Sequence, residues 1–349
     1  MGAWLLREEE VCVFLCHGRF SERYAPVRAS AGARFVRLDG PQPQDLNLRP
    51  PRAPMSVKPF CFPSTELVAH YSAAPTAPVT ATAPLEARRL VAGVRPCELR
   101  AIGYLDRVFG HLPVKDPFYH AHREQQVVVS VDCIEPHASC FCSLVGGKPY
   151  AAEGFDINLT PIEGAYVVEA GSQAGREFVE QARDNLTEAT AADLAARDRV
   201  RRAAVEELEK ANAGFVPARP PEQALAEKED AEIWDRLALG CVECGACTHI
   251  CPTCHCFYLL DQAHEAESYE RLRSWDSCMW SGYSRMAGAP LAKPNPRSRF
   301  RSRFANRFLH KYLWSPKQWN MVGCVGCGRC IEACPGRIDL RRVIREVSA

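Results

Sequence analysis

The chain has 349 residues, enough for about two or three domains, and its 43 basic and 42 acidic side chains nearly cancel. Because the net charge is close to zero, the chain as a whole is not expected to bind polyanions. No apolar run approaches the roughly 20 residues that span a bilayer, and the N-terminal residues are not expected to act as a signal peptide. Eighteen cysteines in such a chain indicate metal binding in the cytoplasm rather than disulfides.

The N-terminal residues contain one predicted apolar strand, Val11–Cys16. Cys12 and Cys16 lie in it, and a buried structural role is favoured over metal binding, because free cysteine is among the most buried residue types. Residues 41–63 are rich in proline and lack periodicity, which predicts an extended surface connection. Cys61 lies in that connection and has no assigned role.

A β-α-β unit is predicted next, from strand Arg89–Val94 through an amphipathic helix over 98–109 to strand Gln126–Val131. Two strands joined by a helix indicate a parallel sheet. The first turn lacks the G-x-G-x-x-G pattern, and the chain contains no P-loop motif. A nucleotide or flavin site is therefore not supported.

Four cysteines follow the carboxyl ends of these strands, where α/β sheets place their ligands. The Cys-x-Cys pair among them lies in a polar loop that contains proline, which favours metal binding. A [4Fe–4S] cluster is therefore predicted here, in addition to two others described below, and buried structural thiols are the alternative. We name these residues the N-terminal set: Cys97, Cys133, Cys140 and Cys142.

The next part of the chain changes from strand to helix. A short strand is predicted over 165–169, followed by helices over 172–183 and 191–213. Residues 214–221 are rich in proline and end the second helix. We place the domain boundary there, with an N-terminal α/β domain over 1–214 and a second domain over 215–349.

The second domain contains two runs with the spacing C-x₂-C-x₂-C-x₃-C-P, which is typical of two-cluster ferredoxins. Three closely spaced thiolates hold one [4Fe–4S] cluster, and the fourth, one helical turn further on, reaches the other cluster. This exchange gives set I as Cys241, Cys244, Cys247 and Cys334, and set II as Cys324, Cys327, Cys330 and Cys251.

Two other cofactors fit parts of the first run. Zinc also binds four cysteines. A zinc site usually needs only two C-x₂-C pairs, whereas each run here has a third cysteine at the same spacing and a Cys-Pro pair. Residues 251–255 match the C-x-x-C-H motif that attaches a c-type haem, but the cluster pattern already uses Cys251. Iron–sulfur clusters are favoured over both.

A long insertion separates the two runs and predicts an α-helical ferredoxin. Residues 222–239 predict a helix that leads into the first run, and residues 257–286 show helical patterns without an obvious hairpin. The predicted fold class is α+β, with an α/β domain followed by an α-helical ferredoxin domain. The insertion also holds three cysteines for which a core or supporting role is favoured over metal binding, Cys254, Cys256 and Cys278.

A basic run with interleaved aromatic residues extends from Arg297 to Lys311. Such a run is typical of nucleic-acid binding, which would make the chain an iron–sulfur regulatory module. The favoured interpretation is that its charge offsets the negative charge of thiolate-bound clusters or contacts an acidic partner, because the run lies inside the cluster domain.

Several segments together resemble one family, the iron–sulfur beta subunits of cytoplasmic NAD(P)-linked [NiFe] hydrogenases (sulfhydrogenases) and the related A subunit of anaerobic sulfite reductase. The resemblance covers most of the chain from about residue 85. The sequence departs from the family at residues 288–294, where the family keeps a shorter glycine-rich turn. The matching segments are 93–102, 132–133, 140–142, 154–160, 251–257, 295–297 and the closing cysteine run.

This resemblance implies an electron-transfer subunit without substrate chemistry of its own. Its expected partners are an FAD- and NAD(P)-binding reductase subunit and the small and large subunits of a [NiFe] hydrogenase, or a sirohaem sulfite reductase subunit. Neither nucleic acid nor a membrane is expected as a partner. The expected cofactors are two [4Fe–4S] clusters, with a third at the N-terminal set.

Overall fold

The computed structural model describes residues 2–30, 32–40, 45–49, 52–72, 79–82, 87–110, 115–286 and 295–349. These residues form a mixed α/β fold with two sheets. Residues 288–294, where the sequence differs from the family that it resembles, lie outside the described residues. Residues 41–44 and 50–51 of the proline-rich connection also lie outside them. None of the helices in the described ranges combines the length and apolarity that crossing a membrane requires.

The elements of the described residues are numbered in chain order. The strands are β1 (Ala3–Arg7), β2 (Glu22–Ala29), β3 (Gly32–Arg37), β4 (Thr65–Ser72), β5 (Thr80–Ala81), β6 (Arg89–Val94), β7 (Gln126–Val131), β8 (Ile157–Ile162), β9 (Ala165–Ala170), β10 (Thr187–Glu188), β11 (Phe257–Glu265) and β12 (Ser268–Trp275). The helices are α1 (Val11–Cys16), α2 (Lys58–Cys61), α3 (Pro96–Gly110), α4 (Pro117–Glu124), α5 (Gln173–Gln181), α6 (Ala191–Asn212), α7 (Pro221–Glu227), α8 (Ile233–Leu237), α9 (Ala246–His249), α10 (Phe300–Leu309), α11 (Ser315–Trp319), α12 (Arg329–Glu332) and α13 (Leu340–Val347).

The larger sheet has eight strands in the order β10-β1-β9-β8-β7-β6-β2-β3. Its centre is parallel, because β2, β6, β7 and β8 pair in the same direction, whereas the outer strands pair antiparallel. The central strands β6 and β7 are largely buried, as expected where helices cover both faces of a sheet. Both strands have the predicted bounds, so the predicted β-α-β unit is confirmed.

Helix α3 begins at Pro96 because proline fits the first turn of a helix, where its missing N–H is not needed. Leu99, Ile102 and Leu105 form its buried face, with the spacing of an amphipathic helix. The helix therefore packs on the sheet and starts directly beside the carboxyl end of β6. This position places Cys97 at the sheet edge where the N-terminal set was predicted.

The predicted strand at Val11–Cys16 is wrong, since these residues form helix α1. Val11, Phe14 and Leu15 are buried, and their spacing of three and four residues is that of a helix face. A short apolar run does not distinguish a strand from a buried helix. The preceding residues Glu8–Glu10 add negative charge where the positive end of the helix dipole lies, which stabilises the helix.

The helices before the second domain are confirmed with small changes in their ends. Helix α5 begins after Ser172, whose hydroxyl accepts a hydrogen bond from the backbone of Gly175. Helix α6 begins after Thr190, which forms a reciprocal capping box with Asp193. The single helix predicted over 222–239 is instead two short helices, α7 and α8.

The insertion between the cysteine runs contains a β-hairpin, so the prediction of helices without a hairpin over 257–286 is wrong. Strands β11 and β12 pair through a turn in which Glu267 has a positive φ of 61°. Strand β12 also pairs with β4, which completes a four-stranded sheet in the order β11-β12-β4-β5. The α-helical description of this ferredoxin is therefore not confirmed.

The division at residue 214 stays a prediction, and the parts of the chain on either side of it are joined by several contacts. One is the pairing of β12 with β4. Another is a fully buried ion pair, in which Arg329 donates to Glu98 at 2.9 Å. The same guanidinium also donates to the backbone carbonyls of Ala53 and Pro54. Glu98 accepts hydrogen bonds from the backbone of Val57 and Arg95 as well.

Replacing Glu98 with alanine should lower the free energy of unfolding by about 3–5 kcal/mol, because it leaves the Arg329 guanidinium buried without its counter-charge. Anaerobic denaturant unfolding of the full chain measures the change. Glu227→Ala is the matched control, since Glu227 pairs with Arg219 on the exposed surface and its loss should change stability little. Equal effects of the two substitutions would contradict the assigned role of Glu98.

Candidate iron–sulfur sites

The two cysteine runs adopt the same local backbone. In each run a glycine in the left-handed region, Gly245 with φ 74° and Gly328 with φ 73°, precedes a short helix, α9 or α12. Glycine adopts this conformation without steric strain. The resulting turn lets three cysteines spaced by two residues surround one point, and the short helix carries the fourth cysteine away. The sequence repeat thus corresponds to a structural repeat.

The four thiols of set I line one pocket, although Cys334 comes from the second run. Phe304 and Arg307 also line this pocket. Burial and the neighbouring Cys247 and Cys334 thiols raise the pKa of Cys241. Cys244 is exposed, so this pocket lies at the protein surface. The exchange of the fourth cysteine between runs agrees with this arrangement.

The thiols of set II also lie close together. Burial and the three other set II thiols, from Cys251, Cys327 and Cys324, together raise the pKa of Cys330 to about 12, although the Arg307 guanidinium acts in the opposite direction. A hydrogen bond from Cys254 and the charge of Lys311 hold the pKa of Cys251 well below its usual range. Unlike set I, this set contains no exposed cysteine. Its thiols therefore face the protein interior.

The N-terminal set lines a second pocket. Burial, together with the Cys133 and Cys140 thiols, raises the pKa of Cys142 to about 12. Cys327 of set II lines the same pocket, and Cys140 lies 3.7 Å from the Cys327 carbonyl oxygen. The four predicted residues therefore come together, and they do so beside set II.

Two glycines of the second run allow this close approach. A Cβ on Gly326 would lie 2.5 Å from the backbone of Cys142, and one on Gly328 would lie 2.4 Å from the Ser139 carbonyl oxygen. Both glycines have positive φ, so a side chain would be strained as well as crowded. The loop of the N-terminal set therefore packs directly on the backbone of the second run.

Part of the basic run from Arg297 to Lys311 is buried in the protein interior. Arg303, Arg307 and Lys311 are all buried, and their spacing of four residues places them on one side of the helix. Burial lowers the pKa of Arg307, but the thiols of Cys247 and Cys330 more than offset this and leave its pKa well above its usual value. Since Cys247 belongs to set I and Cys330 to set II, Arg307 lies between the two sets.

Lys311 lies in a single π-helical turn, His310–Trp314, that follows α10. Its Nζ lies 3.4 Å from the Cys251 thiol and donates to Thr253 Oγ1 and the Gly323 carbonyl oxygen. A π-helical turn often occurs at functional sites, because it shifts side chains relative to a regular helix. Here it presents an ammonium group to a set II thiol.

The nucleic-acid alternative finds no support in the contacts of this run. Arg303 donates to Glu243 and to the Met279 carbonyl oxygen, and Arg301 donates to Asp235. These arginines have protein partners and do not form an unpaired basic surface. The other prediction for the run, that its charge offsets thiolates, agrees with the positions of Arg307 and Lys311.

Three N-terminal cysteines lie outside the thiol-lined pockets described above. Cys12 and Cys16 are in helix α1. Cys61 is fully buried at the end of α2, where its thiol donates to Gln126 Oε1 at 3.3 Å. Cys12 and Cys16 therefore lie in a helix instead of the predicted strand, and both are only partly buried, so their predicted burial is not confirmed. Cys61 has a buried structural role.

The sequence does not predict one further cluster of groups. Cys254, Cys256 and Cys278 line a further pocket together with Arg307 and Lys311. Lys58 lies nearby, and burial lowers its pKa to about 8 although the Cys254 thiol acts in the opposite direction. The sequence could have predicted that the cationic residues lie together, because Arg303, Arg307 and Lys311 are spaced by four residues, which places them on one side of a helix. In the described residues, no three His, Cys, Asp or Glu side chains are arranged to hold a single metal ion.

Comparison with known proteins identifies the family of this chain. Residues 240–338 match the 4Fe-4S dicluster domain family. The sulfhydrogenase 2 subunit beta of Pyrococcus furiosus is 32% identical over 259 residues, which cover 73% of this chain and 72% of that protein. The resemblance found in the sequence is thereby confirmed. The chain belongs to the family of iron–sulfur beta subunits of sulfhydrogenases.

Proposed function

We propose that this chain is a cytoplasmic electron-transfer subunit that connects an NAD(P)H-oxidising flavin subunit to a [NiFe] hydrogenase module. A sirohaem sulfite reductase module is the alternative terminal partner. Sets I and II would each hold one [4Fe–4S] cluster, and the N-terminal set a third. The chain itself would carry no substrate chemistry. Its family membership and its match to the 4Fe-4S dicluster domain support this proposal.

The observation that carries the proposal is the continuity of the three sets. Cys327 of set II lines the pocket of the N-terminal set, and Arg307 interacts with thiols of sets I and II. Each set therefore adjoins the next, in the order N-terminal set, set II, set I. A bound [4Fe–4S] cluster accepts and releases one electron, so adjoining sets are suited to a transfer path.

The cations around these sets fit anionic clusters. Arg307 is buried, and its Nε and Nη2 atoms have no hydrogen-bond partner among the described residues. Arg52, also buried, donates to the Cys327 carbonyl oxygen and pairs with Glu332 at 2.9 Å, which leaves only its Nε without a partner in the described ranges. Buried charge without a partner is costly. Thiolate-bound clusters would supply the missing negative charge to the Arg307 guanidinium group.

The thiol sets along the proposed electron path differ in their exposure to solvent. Exposed Cys244 places set I next to solvent, with exposed Leu239 and Val242 nearby in sequence. Set II is enclosed, which keeps water away from its thiolates and strengthens electrostatic interactions there. We therefore place one partner subunit against the surface at set I. The other partner would contact the side of the protein that carries the N-terminal set.

Replacing Cys330 with alanine tests the electron path, because Cys330 belongs only to set II. In the purified complex, NAD(P)H-dependent hydrogen production should fall to near background. Dye reduction by NAD(P)H at the flavin subunit and dye reduction by hydrogen at the hydrogenase should persist. Cys12→Ala, outside all three sets, is the control and should retain full turnover. Unimpaired linked turnover in Cys330→Ala would exclude this chain as the path.

Replacing Arg307 with methionine should lower the reduction potentials of the clusters at sets I and II. Loss of the cation disfavours the added electron by roughly 1–3 kcal/mol, the size of a unit-charge interaction in a partly buried site. Redox titration followed by EPR measures the shift. Arg299→Met is the control, since Arg299 is exposed next to the same helix. Potentials equal to those of the control would show that Arg307 does not face the clusters.

Replacing Cys142 with alanine tests the N-terminal set. The anaerobically purified chain should lose about four irons and four acid-labile sulfides, the content of one cubane. The EPR signals of the clusters at sets I and II should remain. If the iron content equals that of the unsubstituted chain, the N-terminal thiols are structural and the path begins at set II.

A further inference from the structure

Three cysteines outside the predicted sets share one pocket. Cys254, Cys256 and Cys278 line it, and we name them the central thiols. Four cysteines of set I line a pocket of their own. Both groups of thiols lie within the residues that match the 4Fe-4S dicluster domain.

The β-hairpin brings the central thiols together. Cys256 directly precedes β11, and Cys278 follows shortly after β12. Since the two strands are antiparallel and Phe257 pairs with Trp275, the chain returns to the point where it left. The backbone N–H of Asp276 donates to the Cys256 carbonyl oxygen at 2.9 Å and holds the two ends together. The hairpin thus closes the pocket.

Three buried cations lie around the central thiols. Lys58 donates to the Cys254 carbonyl oxygen at 3.2 Å, and its Nζ lies 3.5 Å from the centre of the Trp275 ring. Arg307 and Lys311 line the pocket itself. In the part of the chain that the structure describes, none of these three cations forms an ion pair with a carboxylate, and all three are at least nine-tenths buried. Such a site favours an anionic occupant.

An imidazole in the same pocket has one nitrogen fixed by a hydrogen bond. His255 lines the pocket, and its Nδ1 lies 3.1 Å from the Thr253 carbonyl oxygen. A carbonyl only accepts hydrogen bonds, so Nδ1 carries the proton and donates. The lone pair is then on Nε2, which is the arrangement found in histidine ligands whose other nitrogen is fixed by a carbonyl.

We propose that Cys254, Cys256 and Cys278, with Nε2 of His255, bind a further iron–sulfur cluster beside set II. A cluster is favoured over a single ion because each ligand of a cubane binds a different iron. No three His, Cys, Asp or Glu side chains in the described ranges are close enough to share one ion. The proposal depends on this pocket and its charges, and not on the direction or the partners of electron transfer.

Replacing Cys278 with alanine tests the site, because Cys278 is remote in sequence from both cysteine runs. The full chain, purified anaerobically, should lose about four irons and four acid-labile sulfides. The EPR signals of the clusters at sets I and II should remain. Cys12→Ala is the matched control and should keep the full iron content. Iron and sulfide contents of Cys278→Ala equal to those of the control would overturn the proposal, as would zinc bound in place of iron.

Replacing His255 with cysteine is the second test and does not depend on the stability of Cys278→Ala. The variant should retain all its iron and give an altered EPR spectrum, because a thiolate replaces an imidazole on one iron. An EPR spectrum unchanged by His255→Cys would overturn the histidine ligand. Failure of this site is distinguishable from failure of the proposed function, which Cys330→Ala decides by linked turnover in the complex.

Discussion

Buried positive charge next to thiols is the constraint on which the interior of this protein depends. A thiolate is stable in a protein interior only if cations or hydrogen-bond donors lie near it. Helix α10 and the π-helical turn after it supply such cations by directing Arg307 and Lys311 towards the cysteines. Arg52 supplies another at the N-terminal set. Burying Arg307 and Lys311 would be costly without the nearby thiolates, and burying the thiolates would be costly without these cations.

Backbone contact between the two halves of the chain is the second constraint. Gly326 and Gly328 allow the second cysteine run to pack against the loop of Cys140 and Cys142. A side chain at either glycine would separate the N-terminal set from set II. The continuity of the thiol sets therefore depends on residues that bind nothing themselves. Their role is to bring two loops from distant parts of the sequence within reach of each other.

Much of the cysteine arrangement could be predicted from the sequence because it is local. The spacing of the two runs determines which three thiols converge, and the β-α-β pattern places Cys97 and Cys133 at one sheet edge. Helix α1 was missed because six apolar residues fit either a strand or a buried helix. The hairpin was missed because its strand character depends on pairing with β4, which lies far away in the sequence. The pocket of the central thiols follows from that hairpin and could not be predicted without it.

The pairing of β12 with β4 has a consequence for the modularity of the ferredoxin part. A fragment containing only residues 215–349 would retain both cysteine runs. It would also expose the edge of β12 that β4 covers, and it would bury Arg329 without Glu98. An uncovered strand edge is a site for aggregation. The ferredoxin part therefore cannot be transplanted as an independent electron carrier, and a chimaera that uses it must include the N-terminal residues from Ala53 onward that complete its sheet and its charge balance.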